Sequence, residues 1–278
     1  MLTAEMRAAI QRALDEDIGP GDVTSLWTLP ADAILRGEFL VKTAGVIAGQ
    51  EVVAAVFELV DRRISFEPLI ADGTPAPAGA VAGRVVGPGV SLLSAERTAL
   101  NFLQRMSGIA TSTLRFVEAV RGTRCVILDT RKTAPGLRYL DKWSVRLGGG
   151  QNHRMGLYDM VLVKDNHIAG AGGVSAAVAG VRARNIAGLL IEVEVKSLAE
   201  LEEALALRPP LDRIMLDNMS LETMRQAVQI TAGRVPLEAS GGVSIETVVA
   251  IAATGVDYIS IGALTHSVKA LDISLDIR

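Results

Sequence analysis

The chain has 278 residues, which is enough for one large domain or two ordinary ones. Its 28 basic and 31 acidic residues nearly balance, so the net charge of −3 argues against a protein that binds nucleic acid through a general basic surface. Aromatic residues make up only 4% of a chain that is 49% hydrophobic. The core must therefore be aliphatic, as it is where parallel strands are buried on both faces.

The single cysteine, Cys125, excludes an intramolecular disulfide framework and a multi-cysteine metal site. It begins an apolar run, which favours a buried thiol over a catalytic one. Residues 1–10 lack the unbroken apolar core of a signal peptide. No apolar stretch approaches the roughly 20 residues of a membrane span. We therefore expect a cytoplasmic protein with no membrane partner.

The first part of the chain is predicted to mix helices with short strands. Thr3 is a candidate N-cap for the first helix, and Ser94 is a candidate cap for a later one. Gly and Pro recur between residues 73 and 89 and break the strands there. The apolar spacing predicts helices over 3–14, 50–60, 91–106 and 111–120 and a strand over 33–41.

From residue 125 onward, six short apolar runs end in polar residues or glycine. They are CVILDTRK (125–132), MVLVKDN (160–166), LLIEVEVK (189–196), RIMLDN (213–218), VPLEASGG (235–242) and YISIGA (258–263). Helical patterns separate the later runs, which begin roughly 20 to 30 residues apart, the length of a βα unit. Closing such units into a barrel removes both sheet edges and brings every strand end to one mouth.

The predicted fold class is α/β, with two domains. Residues 108–265 are expected to form a TIM-like α/β barrel with six evident strands, and a doubly wound open sheet is the alternative. Residues 1–107 are expected to form an α+β sandwich-like domain. Residues 266–278 are predicted to join that domain, and residues 269–278 within them alternate apolar and polar residues, which predicts a returning strand.

Cations are concentrated between residues 129 and 168. Arg131 and Lys132 follow the first apolar run, and Lys164 closes the second. His153 and Arg154 lie between them, after a triple-glycine loop at 148–150 where backbone can approach a ligand closely. Any one of these residues alone would be interpreted as a solvated loop charge. Together, at the ends of predicted strands, they indicate an anion pocket.

Carboxylates follow the later strands. Glu192 and Glu194 have the same parity, so both side chains should face the same side of the strand. Buried carboxylates are costly unless paired. Glu192 and Glu194 could form a structural ion-pair network with Lys132, Lys164 and Lys196. Alternatively, Glu194 and Asp217 could bind sugar hydroxyls or a divalent cation.

A phosphate site is predicted near the last two strands. Ser240-Gly241-Gly242 precedes a helical pattern, where backbone N–H groups and the helix dipole hold phosphate. Gly262 follows the next strand, in the position of the late-strand phosphate site of these barrels. Tight βα turns also need glycine, so the motif alone is weak. With the cations and carboxylates, it favours a sugar phosphate that meets a carboxylated small molecule.

Several long motifs resemble those of the quinolinate phosphoribosyltransferase (nicotinate-nucleotide pyrophosphorylase, carboxylating) family. They are LDEDIGPGDVTS, SAERTALNFLQRMSGIAT, DTRKTAPGLR, GGGQNHRMGLYDMVLVKDNHI, EVEVKS, LDN, EASGG and GVDYISIGALTHSV. They cover nearly the whole chain in order. The chain departs from the common pattern at Ala134, where Thr is frequent, and at Trp143-Ser144, where Tyr-Ala is frequent. Neither position has an assigned role.

The resemblance implies a reaction in which quinolinate and phosphoribosyl pyrophosphate, with Mg2+, give nicotinate mononucleotide, pyrophosphate and CO2. It implies that the quinolinate carboxylates are surrounded by Arg131, His153, Arg154 and Lys164, and by Arg97 of a partner subunit. It implies that Lys132 lies between quinolinate and pyrophosphate, and that Glu194 and Asp217 hold the ribose and its metal, directly or through water. The 5′-phosphate site is implied to be Ser240, Gly241, Gly242, Gly262 and His266. A homodimer, alone or within a larger assembly, follows from the shared Arg97.

Two other functions stay open at this point. A phosphoribosyltransferase that takes nicotinate would need fewer cations than this chain carries. A non-catalytic binding relative, such as those associated with molybdate transport, would be expected to lose part of the segment Lys164-Asp165-Asn166-His167, which is intact.

Overall fold

The structure is a computed structural model that describes residues 2–278. Its elements in chain order are α1 (Ala4–Ile18), α2 (Val23–Thr28), β1 (Ile34–Val41), β2 (Gly45–Ile47), α3 (Gln50–Val60), β3 (Ser65–Pro68), β4 (Thr74–Ala76), β5 (Val81–Pro88), α4 (Gly89–Ala119), β6 (Val126–Leu128), α5 (Arg138–Leu147) and β7 (Val161–Val163). They continue with α6 (Asp165–Ala171), α7 (Val174–Arg182), β8 (Ile191–Val195), α8 (Leu198–Ala206), β9 (Arg213–Asp217), α9 (Leu221–Thr231), β10 (Leu237–Ser240), α10 (Val248–Ala252), β11 (Tyr258–Ser260), α11 (Ala263–His266) and β12 (Ile273–Ile277).

The chain divides into two compact units. The first contains Met1–Leu114, Thr133–Gly149 and Leu264–Arg278, and the second contains Arg115–Lys132 and Gly150–Ala263. The sequence predicted domains of 1–107 with 266–278 and of 108–265, which would put residues 133–149 in the barrel. These predicted domain limits stay a prediction.

The first unit is built on a four-stranded antiparallel sheet in the order β12-β1-β5-β3. The predicted C-terminal strand is confirmed, because β12 pairs with β1 in a register that sets Phe39 opposite Leu275. Phe39 also packs edge-on against Phe57 and Phe66, with ring centroids 6.2 and 5.6 Å apart. A single core of sheet and helix side chains results.

The N-terminal helix begins as predicted, since the Thr3 side chain accepts a hydrogen bond from the N–H of Met6. Two other predictions in this region are wrong. Residues 91–106 and 111–120 are not separate helices but parts of the 31-residue helix α4. Ser94 is not its cap, because its hydroxyl lies within the helix and donates to the carbonyl of Val90 at 2.8 Å.

Helix α5 was not predicted at all, because its buried face carries charge. Asp141 and Lys142 are fully buried, so the helix lacks the apolar stripe that sequence periodicity detects. Arg105 donates to the two carboxylate oxygens of Asp141 through Nε at 2.9 Å and Nη2 at 2.8 Å. Asp141 also accepts the backbone N–H of Ala134 at 3.1 Å. Part of the charge between 129 and 168 therefore belongs to the packing of the first unit.

The second unit contains the six predicted strands, all parallel, in the order β6-β11-β10-β9-β8-β7. This order follows the chain from β7 to β11 and returns to β6, as in a barrel, whereas a doubly wound sheet reverses direction at a switch point. Strands β6 and β7 do not pair with each other within residues 2–278, and Gln151 pairs with Leu128 beside β6. Strand β8 is buried along its whole length, as expected for a parallel strand covered on both faces.

No helix within residues 2–278 is long and apolar enough to cross a membrane.

The buried thiol of Cys125 provides a test of this packing. Burial, followed by the charge of Asp257, raises its pKa to about 12. At pH 8 only about one thiol in ten thousand would be ionised, and the thiolate is the reactive form. We expect the native protein to resist alkylation by iodoacetamide and the urea-unfolded protein to react fully, as measured by mass spectrometry. Equal rates in the two states would contradict the burial.

Candidate active site

A cavity of about 660 Å³ lies at the carboxyl ends of the parallel strands. It is lined by Thr130, Arg131, Lys132, His153, Arg154, Leu162, Lys164, Asp165, Glu194, Met215, Asp217, Asn218, Ser240, Gly241, Gly242 and Ser260. These residues all belong to the second unit. The cavity brings together every residue predicted for the site except Arg97, Gly262 and His266. A larger cavity of about 810 Å³ beside β7, α6 and α7 is mainly apolar and contains none of the predicted residues.

The three remaining residues are placed elsewhere in the chain's elements. Gly262 lies two residues after the end of β11, in the second unit. Arg97 is an exposed residue of α4, and His266 is an exposed residue of α11, both in the first unit. The proposed contributions of Arg97 and His266 to a substrate site stay predictions.

Cations gather on one side of the cavity. Burial, followed by the positive charge of Arg131, lowers the pKa of Arg154. The guanidinium of Arg154 also donates to the carbonyl of Met160 at 3.3 Å, which limits its movement. Like charges this close repel in a partly buried site, so an anionic ligand between them would be strongly favoured.

The segment after β7 fixes Lys164 at the edge of the cavity. The His167 ring accepts the backbone N–H of Lys164 through Nδ1 at 2.9 Å. The Lys164 ammonium lies 2.8 Å from Glu194 and is 44% exposed, so the ion pair is accessible to a ligand. Lys196 pairs instead with Asp165 at 2.5 Å. The structural ion-pair network considered from the sequence thus exists in part, as the pair of Lys164 and Glu194, and both of these residues line the cavity.

The carboxylates of Glu194 and Asp217 lie on neighbouring strands, β8 and β9. Glu194 is 8% exposed, and Asp217 is half-buried and accepts the side-chain N–H of Asn218 at 2.9 Å. Two carboxylates that line one cavity suit Mg2+, which prefers oxygen ligands and keeps several waters. The donor chemistry therefore fits the predicted metal.

The ring of His153 faces away from solvent, toward two buried glutamates. Its Nε2 lies 3.0 Å from Glu192 and 3.6 Å from Glu238, and both carboxylates are fully buried. Glu238 also accepts from Arg213 at 2.7 Å. Burial raises the pKa of both glutamates, and the charge of Arg213 opposes the shift. The donor types could hold a metal, but the Arg213 guanidinium already lies against one of the carboxylates.

The backbone around His153 is anchored by Asp129. That carboxylate is fully buried and accepts the N–H of His153 at 2.9 Å and the side-chain N–H of Asn152 at 2.5 Å. The residue directly after β6 therefore holds the segment that carries His153 and Arg154.

The glycine motif after β10 differs from its prediction in one respect. Helix α10 begins only at Val248 and has five residues, so Ser240-Gly241-Gly242 does not lead directly into a helix N-terminus. Gly241 and Gly242 instead both have positive φ, 104° and 58°. Successive N–H groups in such turns form concave anion sites without a helix. Glycine at 241 is also required sterically, since a Cβ there would be 2.1 Å from Asn218.

Glu192, Glu238 and Asn218 were not predicted as site residues. The two glutamates were visible only as polar residues within apolar strands, which suggests a partner without identifying it. Asn218 follows β9 with a φ of 53°, a conformation that asparagine tolerates better than most residues. The dipeptide Asp217-Asn218 at a strand end was the available signal.

The fold and cavity define an α/β-barrel protein with a pocket for an anionic substrate, cationic on one side and acidic on the other. Comparison with known proteins identifies the group. The model of the quinolinate phosphoribosyl transferase C-terminal domain matches residues 109–276, and that of the N-terminal domain matches residues 22–107. The chain belongs to this family.

Individual relatives cover almost the whole chain. Quinolinate phosphoribosyltransferase [decarboxylating] 1b of Nicotiana tabacum is 47% identical over 99% of the chain and 83% of its own length. Nicotinate-nucleotide pyrophosphorylase [carboxylating] of Mycobacterium leprae is 47% identical over 98% of the chain and 96% of its own length. The crystal structure of NadC from Streptococcus pyogenes superposes with a TM-score of 0.95 at 41% identity, covering 100% of this chain and 98% of that one.

The two adjacent glycines offer a matched pair of substitutions. Gly241→Ala combines a disfavoured φ with a clash against Asn218, whereas the Cβ of Gly242→Ala would meet nothing within 4 Å. We expect Gly242→Ala to lose about 1–2 kcal/mol of stability and Gly241→Ala to lose more, as measured by urea unfolding. Equal losses would show that Asn218 can move away without cost.

Proposed function

We propose that this chain transfers the phosphoribosyl group of phosphoribosyl pyrophosphate to quinolinate and decarboxylates the product, giving nicotinate mononucleotide, pyrophosphate and CO2 in NAD biosynthesis. The main support for this reaction is a single cavity with Arg131, Arg154 and Lys164 on its cationic side and Glu194 and Asp217 on its acidic side. Membership of the family supports the same reaction.

The cationic side suits the acceptor. Quinolinate has two adjacent carboxylates, and arginine can bind a carboxylate with two parallel hydrogen bonds. Arg131 and Arg154 would hold these groups and orient the pyridine nitrogen toward C1′ of the ribose. The two carboxylates of quinolinate would neutralise the positive charges of Arg131 and Arg154.

The acidic side suits the donor. As the bond from C1′ to pyrophosphate breaks, positive charge develops on the ribose, and the carboxylates of Glu194 and Asp217 would stabilise it. Lys132 would lie beside the departing pyrophosphate, and Ser240, Gly241 and Gly242 would hold the 5′-phosphate. Mg2+ bound near Glu194 and Asp217 would neutralise charge on the pyrophosphate when present.

Decarboxylation follows from the charge of the product. When the pyridine nitrogen has bonded to C1′, it is cationic. The bond from the neighbouring ring carbon to its carboxylate can then break, because the electron pair left on that carbon is stabilised by the cationic nitrogen. CO2 leaves, and the carbon takes up a proton. Exclusion of water from the cavity would strengthen each of these interactions.

The assembly and location that we propose are a homodimer, alone or within a larger assembly, in the cytoplasm. Arg97 of one subunit would complete the quinolinate pocket of the other, and His266 and Gly262 would contribute to the 5′-phosphate site. Some plant relatives carry names that place them in mitochondria or chloroplasts.

The direct test is to incubate the purified protein with quinolinate, phosphoribosyl pyrophosphate and Mg2+ and to measure quinolinate loss and CO2 release. We expect one CO2 per quinolinate and no turnover with EDTA. Comparable turnover of nicotinate would favour the alternative phosphoribosyltransferase. Substrate binding without any turnover would favour a non-catalytic relative, although the intact segment 164–167 argues against it.

Removal of a single cation from the cavity should abolish activity without unfolding the protein. Arg131→Ala, Arg154→Ala and Lys164→Ala each remove one charge-assisted contact, which is worth about 2–4 kcal/mol of transition-state stabilisation, or about 10²–10³ in rate. Arg121→Ala removes an arginine that is 75% exposed and lies outside the cavity, and serves as the matched control. A cavity variant that unfolds but retains wild-type specific activity in its folded fraction would show that the residue is structural.

Mixing two inactive variants tests whether Arg97 acts in trans. In a dimer of one Arg97→Ala chain and one Lys164→Ala chain, one site carries both defects and the other carries neither. Random exchange makes about half of the dimers mixed, so recovery should approach about a quarter of wild-type activity. If subunit exchange is demonstrated and no activity returns, Arg97 acts within its own subunit or has no role in catalysis.

A further inference from the structure

Both ring nitrogens of His153 are engaged within the protein. Nδ1 accepts the backbone N–H of Arg154 at 2.7 Å, so Nδ1 carries no proton. The ring proton must then lie on Nε2, which faces Glu192 at 3.0 Å. The ring is 6% exposed, and its tautomer follows from these two contacts.

The groups around Nε2 form a buried network behind the cavity. Glu192 and Glu238 are fully buried, and neither lines the cavity. The Arg213 guanidinium donates to Glu238 and stacks 4.0 Å above the ring centroid of Tyr258, which fixes its position. Each glutamate also has one buried carboxylate oxygen with no hydrogen-bond partner. Burying these two oxygens costs desolvation free energy that no hydrogen bond to them offsets.

We propose that His153 is a positioning residue, and that Glu192 and Glu238 fix its ring so that the ring fixes Arg154. The backbone of Arg154 is then held by the ring, and its guanidinium is held by the carbonyl of Met160. This differs from a direct contact between the His153 ring and a quinolinate carboxylate. The proposed role of His153 rests on the proposed function in one respect, which is that Arg154 binds quinolinate.

The proposal predicts that a residue outside the cavity controls acceptor affinity. Glu192→Leu removes the acceptor for Nε2–H and should raise the KM for quinolinate by about 10-fold to 100-fold, the loss of one hydrogen bond to a charged group. The KM for phosphoribosyl pyrophosphate should change less than about 2-fold, since its contacts lie elsewhere in the cavity. Glu192→Gln retains an acceptor oxygen and should restore most of the quinolinate affinity.

A matched control contacts the same strand at the residue directly before Glu192. Asp212 accepts the N–H of Ile191 at 2.7 Å, at the amino end of β8 and away from the cavity. Asp212→Asn should reduce stability and leave the ratio of the two KM values unchanged. A variant that merely loosens β8 would behave in this way.

A double-mutant cycle separates action through His153 from a general structural effect. His153→Ala should also raise the KM for quinolinate, and adding Glu192→Leu to His153→Ala should raise it no further. Additive effects, or equal rises in both KM values for Glu192→Leu, would overturn the proposal.

The tautomer provides a readout that does not depend on catalysis. With three histidines in the chain, ¹⁵N-labelled histidine spectra can be assigned by comparison with His153→Ala. We expect His153 to show the Nε2–H tautomer both before and after quinolinate is added. Protonation of Nδ1 on binding would overturn the proposal. If the wild type binds quinolinate without turnover, the proposed function fails while this readout still decides the role of His153.

Discussion

The ligand preference of the cavity depends on the repulsion between cations that the fold holds close together at the ends of aliphatic strands. Arg131, Arg154 and Lys164 line one cavity, and burial, followed by the charge of Arg131, lowers the pKa of Arg154. Without a ligand, Lys164 is partly neutralised by Glu194. A dicarboxylate relieves the remaining repulsion, so a ligand with two negative charges is favoured over a ligand with one.

The rest of the second unit keeps these charges in place. Parallel strands buried on both faces provide a rigid support, and each strand ends in a residue that enters the cavity or anchors one that does. Asp129 holds the backbone of His153, and His167 holds the backbone of Lys164. The polar groups behind the cavity thus orient the polar groups within it.

Much of this architecture could be predicted from the sequence, because aliphatic runs ending in polar residues mark parallel strands without ambiguity. The helices were harder. Residues 107–110 were left outside the two predicted helices, but Gly108 lies inside α4, where a Cβ would be 2.3 Å from the backbone oxygen of Lys269. Helix α5 was missed because Asp141 and Lys142 occupy its buried face. Contacts between residues distant in sequence determine both features.

The same limit applies to the site. Cations and glycines at strand ends predicted the lining of the cavity, since a parallel barrel brings those ends together. The sequence could not show that the His153 ring points toward Glu192 and Glu238, because only the tertiary structure brings β8, β10 and the segment after Gln151 together. The direction of the His153 side chain is determined by tertiary packing and could not be inferred from the sequence motif that contains it.

If the cavity selects its acceptor by paired carboxylates, calorimetric titration should distinguish dicarboxylate ligands from monocarboxylate ones. Quinolinate, the benzene dicarboxylate phthalate and the monocarboxylate nicotinate would be compared in the same buffer. We expect phthalate to bind within about tenfold of quinolinate and nicotinate to bind at least about tenfold more weakly, since one charge-assisted contact is worth about 1.5–3 kcal/mol. Nicotinate binding as tight as that of quinolinate would contradict selection by paired carboxylates.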